Sequence, residues 1–142
     1  MVYTTLTKKA MKISFKAHKN QTDKNGMPYI FHPIHLAEQM TDEKTICVAL
    51  LHDVVEDTDI TFEELENEGF SEDIIDALKL MTHDDSVPYM DYVKEIKTNR
   101  IATTVKIADL KHNSDLTRLD IVDEKAIKRV DKYKKAIELL LA

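Results

Sequence analysis

The shortage of turn-forming residues constrains the fold of this chain more than any other feature. Only two glycines and three prolines occur in 142 residues. All-β sandwiches and barrels join many short strands through turns that are rich in these residues. Alanine, leucine, glutamate, lysine and methionine, which favour helices, are abundant instead. The chain is therefore predicted to be all-α.

Capping residues and apolar periodicity divide the chain into about seven or eight helices. Thr41 and Asp42 are candidates to cap a helix that runs to about Asp57, and Asn99 can cap a long helix to about Leu119. No repeat, low-complexity tract or linker interrupts the pattern. Residues 1–142 are therefore predicted to form a single domain.

The two terminal helices are predicted from their apolar stripes, which repeat at helical spacing. The first helix reaches about residue 19, and its stripe comprises Leu6, Ala10, Ile13, Phe15 and Ala17. The last helix follows an Asp123 cap, and its stripe comprises Ile127, Val130, Ala136, Ile137 and Leu140.

Charge and hydropathy favour a small-molecule partner. The formal net charge is −6, with both signs mixed along the chain, whereas proteins that bind nucleic acid usually carry a basic face. No apolar stretch is long enough to span a membrane, and the polar N-terminus is unlike a signal peptide. The single cysteine, Cys47, lies in an apolar run typical of a buried position. We expect a cytoplasmic protein without nucleic-acid or membrane partners, and the sequence leaves a homodimer open.

The segment 49–57 carries the first candidate metal ligands. Counted at about 100° per residue, the apolar side chains of this segment lie on one side of the helix. His52, Asp53 and Glu56 lie on the other side, and Glu56 follows the other two by about one turn. Imidazole beside carboxylate is a nitrogen–oxygen ligand set that suits Mn²⁺, Fe²⁺, Zn²⁺ or Ni²⁺ better than Ca²⁺. Taken alone, a His-Asp dipeptide is more often a solvated pair near a helix end.

Asp109 is the second candidate, because it lies among apolar neighbours. A carboxylate in such a setting needs a partner. Lys106 precedes it by one turn and Asn113 follows it by one turn, so the partner is a metal, the lysine or the amide.

His32 is the third candidate. Apolar residues surround it, and Pro33 in the first turn indicates that it opens a short helix. An isolated histidine of this kind is more often a hydrogen-bonded core residue than a ligand.

Together, these residues resemble the HD-domain superfamily of metal-dependent phosphohydrolases. The pattern is most similar to the hydrolase domain of the RelA/SpoT family, including its small stand-alone members that cleave the 3′-pyrophosphate of (p)ppGpp. The resemblance spans about residues 9–119. Four blocks in sequence order carry it: Ala17-His18-(x)2-Gln21; Gly26-(x)-Pro28-Tyr29-Ile30-(x)-His32-Pro33; Ala49-Leu50-Leu51-His52-Asp53-Val54-Val55-Glu56-Asp57-Thr58; and Val105-Lys106-Ile107-Ala108-Asp109-(x)2-His112-Asn113.

The resemblance implies a compact HD-domain helical bundle and a role for each matching residue. It implies a divalent transition metal, Mn²⁺ in the first place, whose ligands are His32, His52, Asp53 and Asp109. Two carboxylates, Glu56 and Asp57, would position or activate the attacking water. The substrate, a nucleotide, would contact Lys24, Asn25, Lys106 and Asn113.

Two departures from the family pattern concern the substrate. Asp23 stands where the family usually has an arginine that contacts the nucleotide, and a carboxylate there would repel a polyphosphate. Leu110 stands where an arginine often follows the metal-binding aspartate. The alternatives are therefore a phosphatase for another nucleotide or phosphoester, or a metal- and nucleotide-binding module without turnover. Glu56 and Asp57 argue against the binding module, which has no need of a pair that positions water.

The other polar residues give weaker signals. His18 matches a family position, but a partly exposed helix residue is an equally good interpretation. His112 can support the site or pack as a structural side chain. A basic series in the last helix is typical of a solvated face, with attraction of anions as the less favoured interpretation: Lys125, Lys128, Arg129, Lys132, Lys134 and Lys135.

Overall fold

The computed structural model describes residues 1–142 and confirms the all-α prediction. Nine α-helices and one 3₁₀ helix are present, and the only β pairing is an isolated bridge between Thr22 and Pro28. The helices are α1 (Thr5–Ala17), α2 (Phe31–Glu38), α3 (Glu43–Leu51), α4 (Val54–Asp57), α5 (Phe62–Asn67), α6 (Glu72–Met81), α7 (Tyr89–Lys97), α8 (Arg100–Asn113), the 3₁₀ helix (Leu116–Arg118) and α9 (Glu124–Leu141).

Helix α3 is the centre of the molecule. Every residue from Thr45 to Leu51 is buried, because α1, α2, α6 and α8 pack around it. A helix that is apolar on all sides can be stable in water only when neighbours cover it completely. Asp42 caps the helix by accepting a hydrogen bond from the Thr45 N–H at 2.8 Å. The residues that follow α3 are therefore held at a fixed place beside the core.

The predicted continuous helix to Asp57 is wrong, because α3 ends at Leu51 and α4 begins at Val54. The His52 Nδ1 atom lies 2.7 Å from the Ala49 carbonyl oxygen and occupies the acceptor that the Asp53 N–H would use in a continuing helix. The break presents His52 and Asp53 together at the end of the buried helix.

Two other predicted helices end earlier than expected. The first ends at Ala17, before His18, and α8 ends at Asn113 rather than near residue 119. After α8, Asp115 caps the 3₁₀ helix by accepting from the Thr117 N–H at 3.0 Å. Short polar side chains of this kind compete for backbone groups and favour turns over helix.

The apolar stripes of the terminal helices were only partly right. Phe15 is 57% exposed and Ile127 is 56% exposed, so neither belongs to the core. In α9, Ala126 is buried beside Val130 instead. No helix in the structure combines the length and apolar character needed to cross a membrane.

Candidate metal centre

Four residues from three parts of the fold meet in one buried cluster beside α3. His32 comes from the first turn of α2, His52 and Asp53 from the break after α3, and Asp109 from α8. His32, His52 and Asp109 are each at most 5% exposed. Asp109 Oδ1 lies 2.9 Å from His32 Nε2 and 3.6 Å from His52 Nε2. Asp53 Oδ2 lies 2.9 Å from His52 Nε2 and 4.0 Å from His32 Nε2.

The donor set fits a divalent transition metal. One ligand atom from each of His32, His52 and Asp109 lies within 4.8 Å of the others, and Asp53 borders this group. The His52 Nε2 atom is buried without an aligned hydrogen bond, although carboxylate oxygens are nearby. A buried polar atom without a partner is costly, and a metal ion among these atoms would satisfy it.

The charged groups of the cluster shift one another's pKa values. Burial alone would lower the pKa of His52, but the negative charges of Asp53 and Asp109 outweigh burial and hold this pKa well above its ordinary value. Burial alone would raise the pKa of Asp109, yet the Lys106 ammonium, 3.0 Å from Oδ2, holds it well below its ordinary value. The metal-free cluster therefore contains ionised carboxylates and a protonated His52.

Asp109 contacts both side chains that the sequence offered as its partners, Lys106 and Asn113. Its Oδ2 atom pairs with Lys106, while its Oδ1 atom faces both histidines and accepts from the Asn113 Nδ2 atom at 3.1 Å. The lysine is itself mostly buried, with 12% of its side chain exposed. One carboxylate oxygen is thus fixed by the protein, and the other faces the cluster.

Hydrogen bonds around the cluster orient its histidine rings. His32 Nδ1 lies 2.7 Å from His112 Nδ1, and His52 Nδ1 lies 2.7 Å from the Ala49 carbonyl oxygen. Burial and the charge of Arg118 lower the pKa of His112 to about 4, so at neutral pH its ring can accept the His32 Nδ1–H. Bonds of this type direct the Nε2 atom of each ring toward a metal.

A tyrosine hydroxyl orients one of the carboxylates. Tyr29 donates a hydrogen bond to Asp53 Oδ2 and stacks at an angle between His18 and His32. Sequence reasoning assigned Tyr29 no role and left His112 undecided, since their partners are distant in the chain. The nearest signal was that both residues belong to the family-like blocks.

Glu56 and Asp57 lie on the single turn α4 and point to different neighbours. Glu56 accepts a hydrogen bond from the His83 N–H at 2.8 Å, and burial raises its pKa above the ordinary value. Asp57 accepts from the Gln21 Nε2 atom at 3.1 Å. Gln21 in turn lies 2.8 Å from the Nδ1 atom of His18. His18 is 1% exposed, so the partly exposed alternative is wrong.

Two of the clefts that adjoin the cluster contain the predicted substrate contacts, and Asn113 lines both. A cleft of about 320 Å³ reaches His32 and contains Lys24, Asn25 and Asn113. A smaller one of about 200 Å³ contains Lys106, Glu56 and Asp109. Arg118 and Tyr133, to which the sequence assigned no role, line the larger cleft. Arg129, from the basic series predicted to be a solvated face, lines it as well.

The HD-domain family matches residues 10–105, which include three of the four cluster residues. The chain belongs to the HD-domain family. The guanosine-3′,5′-bis(diphosphate) 3′-pyrophosphohydrolase MESH1 of Danio rerio is 36% identical over 129 residues, covering 81% of this chain and 71% of the relative. The enzyme of the same name from Aquifex aeolicus is 34% identical over 131 residues, covering 89% of this chain and 19% of the relative.

Structural comparison agrees with this HD-domain assignment. A solved structure of a metazoan SpoT ortholog that hydrolyses ppGpp superposes with a TM-score of 0.77 at 25% identity, covering 99% of this chain and 88% of the other. These relatives identify the chain as a metal-dependent hydrolase, and the cluster is its candidate metal centre. The long bacterial relatives contain much additional sequence, since this chain spans only 17% of Escherichia coli SpoT.

The two departures from the family pattern occupy different environments in the HD domain. Leu110 is 1% exposed and belongs to the apolar core. Asp23 lies in the loop that borders the larger cleft, where its Oδ1 atom accepts from the backbone N–H groups of Asn25 and Met27. Asp23 therefore organises the loop in addition to placing a negative charge there.

Proposed function

We propose that this protein is a Mn²⁺-dependent (p)ppGpp hydrolase that releases the 3′-pyrophosphate and leaves guanosine 5′-diphosphate or 5′-triphosphate. The observation that carries the proposal is the convergence of His32, His52, Asp53 and Asp109 beside a cleft lined by cationic side chains. A relative at 36% identity, most of whose length the chain covers, bears the name of this activity.

The proposed metal ligands are two imidazoles and two carboxylates. This mixed nitrogen–oxygen set suits Mn²⁺ and related divalent ions. When bound, such an ion activates water and offsets negative charge on a phosphoryl oxygen. The protein contributes the fixed orientation of the ligands, through His112 for His32 and Tyr29 for Asp53.

Glu56 is the proposed proton acceptor for the attacking water. Burial raises its pKa above the ordinary value of a glutamate, which makes the carboxylate a better base. The His83 N–H holds one of its oxygens and leaves the other available. As water adds to the 3′-phosphorus, the bond between that phosphorus and the 3′-oxygen breaks. The water oxygen stays on the released pyrophosphate, and the 3′-oxygen takes up a proton to become the 3′-hydroxyl of the nucleotide. Lys106, in the same cleft, places a positive charge next to the phosphates.

Asp57 and the predicted substrate contacts complete the proposal. Asp57, held by Gln21, is assigned to water positioning. Lys24, Asn25 and Asn113 are assigned to the nucleotide, because they line the larger cleft.

The variants Asp53→Asn and Glu56→Gln test the proposed metal ligands and the proposed general base separately. The wild-type protein with Mn²⁺ should convert ppGpp to GDP and pyrophosphate. Asp53→Asn should lose both activity and bound metal, because a ligand is removed. Glu56→Gln should keep the metal and lose roughly 10²–10⁴-fold in kcat, the usual contribution of a general base. Product chromatography and elemental analysis measure the two effects.

The control is Asp73→Asn, an exposed residue that pairs with Lys44, and it should behave as wild type. Metal loss in Glu56→Gln would show that a ligand had been misassigned. If Mn²⁺-loaded wild type leaves ppGpp intact but hydrolyses a nucleoside monophosphate, the site stands and the substrate is another phosphoester. Metal binding without turnover of any nucleotide would indicate a binding module.

The remaining predictions about partners and location accompany this proposal. The net charge of −6 favours a small-molecule substrate over nucleic acid. A single domain, a cytoplasmic location and a homodimer stay predictions. Light scattering of the purified protein measures the oligomeric state directly.

A further inference from the structure

An ion pair in the wall of the larger cleft joins two segments that are far apart in sequence. Arg118 Nη2, from the 3₁₀ helix, lies 4.0 Å from Asp23 Oδ2 in the loop 22–28. Only 28% of the Arg118 side chain and 22% of the Asp23 side chain are exposed. The same two segments are joined again where Asn25 Oδ1 accepts from the Asp120 N–H at 3.1 Å. The pair is therefore part of a fixed wall of the cleft.

The contacts of Arg118 use the edge of its guanidinium group. Its Nη1 atom donates to the His112 carbonyl oxygen at 2.9 Å and to Asn113 Oδ1 at 3.3 Å, while Nη2 faces Asp23. The N–H bonds of a guanidinium lie in its plane, so acceptors occupy the edge and leave the flat faces free. Arg118 borders the larger of the two clefts that contain the predicted substrate contacts. It also borders a separate cleft of about 340 Å³ that contains Met27 and Phe31.

The charges indicate which part of a nucleotide fits Arg118. A phosphate at this position would lie next to the Asp23 carboxylate and be repelled by it, whereas a neutral planar base would not. Two other cations in the cleft, Lys24 and Arg129, form no salt bridge in the structure and can attract phosphates. A guanidinium that is held at its edge and open at its face is suited to stacking on a base.

We propose that Arg118 determines specificity by stacking on the purine base of the nucleotide and that Asp23 is the counterion that holds it there. The inference rests on the proposed function, and it concerns the cleft rather than the metal cluster. It gives a role in holding Arg118 to Asp23, which replaces the usual arginine of the family pattern. In this chain the planar cation is supplied by the 3₁₀ helix, 95 positions further along the chain, and Asp23 orients it.

The variant Asp23→Asn distinguishes a role in holding Arg118 from simple repulsion of the substrate phosphates. Loss of the first should raise the KM for ppGpp, whereas loss of the second should lower it. Asparagine keeps the Oδ1 acceptor that organises the loop and removes only the charge. If Asp23 holds Arg118, the KM for ppGpp should rise, by about threefold for a partly exposed ion pair, with kcat within about twofold of wild type. A KM that falls or stays unchanged would overturn the proposal.

The variant Arg118→Lys tests the stacking face. Lysine keeps the positive charge and loses the planar group, so KM should rise about tenfold, as expected for loss of a cation–π contact. The double variant should be no worse than Arg118→Lys alone, because Asp23 acts through Arg118. A wild-type KM in Arg118→Lys, or a loss confined to kcat, would refute the assignment.

Matched controls and two further readouts keep these outcomes distinct from folding and metal effects. Arg100→Lys and Asp73→Asn change exposed residues outside the cleft and should leave KM unchanged. Bound Mn²⁺ and the thermal midpoint should be the same in all variants. If wild type itself does not hydrolyse ppGpp, the proposed function fails; if wild type is active and the variants leave KM unchanged, only the role of Arg118 fails.

Discussion

At the scale of single residues, His52 links metal binding to pH. Burial alone would lower its pKa, but the ionised Asp53 and Asp109 beside it raise the pKa well above the ordinary value. The imidazole is therefore protonated at neutral pH in the metal-free protein, whereas a metal ligand must be neutral. Both carboxylates already have lowered pKa values and release no proton. Binding one metal ion should consequently displace one proton from His52.

We predict that Mn²⁺ affinity rises by about tenfold per pH unit from pH 6 through neutrality, as for displacement of one proton. The increase should stop once the pH exceeds the raised pKa of His52. Titration calorimetry in two buffers of different ionisation enthalpy counts the released protons. The variant Asp73→Asn, which changes an exposed residue that pairs with Lys44, should release the same number. Binding at pH 7 without proton release would show that His52 is already neutral.

The sequence predicted the candidate ligands better than the residues that hold them. His32, His52, Asp53 and Asp109 were singled out as polar groups in largely apolar segments, and the family resemblance implied that they act together as ligands. The supporting contacts could not be predicted, since they join distant positions, such as His32 with His112, 80 residues apart. Arg118 lay beyond the matched blocks and gave no signal of its own.

At the scale of elements, helix ends rather than helix bodies shape the site. The break after α3 places His52 and Asp53 in the cluster, and the end of α1 supplies His18 and Gln21. Propensity and caps located the helices well, including the Asp42 and Asn99 caps. The early ends could not be predicted, because they depend on side chains that compete for backbone groups.

We predict that Gln21 is a positioning residue that joins the end of α1 to α4. It lies 2.8 Å from His18 Nδ1 and donates to Asp57 Oδ2 at 3.1 Å. Gln21→Ala should lower kcat by about tenfold, the value of one lost hydrogen bond of about 1.4 kcal/mol, with bound metal unchanged. Gln21→Glu should be worse, because it places a second carboxylate against Asp57. The exposed Gln39, which bonds only to the His35 carbonyl oxygen, offers Gln39→Ala as a control. Equal kcat in Gln21→Ala and wild type would contradict the role.

At the scale of the whole molecule, the proposed metal ligands connect separate elements that pack around the buried α3. They come from α2, the break between α3 and α4, and α8, and all surround the buried α3. An ion that binds the folded state alone stabilises it by about 2.7 kcal/mol at a free concentration one hundred times its Kd. For a chain of 142 residues this corresponds to roughly 10 °C in thermal midpoint.

We therefore predict that Mn²⁺ raises the midpoint by this amount and that a chelator removes the increase. Differential scanning calorimetry with and without Mn²⁺ measures the shift, and Asp53→Asn should show little of it. A shift of equal size in Asp53→Asn would mean that the stabilising ion binds somewhere other than this cluster.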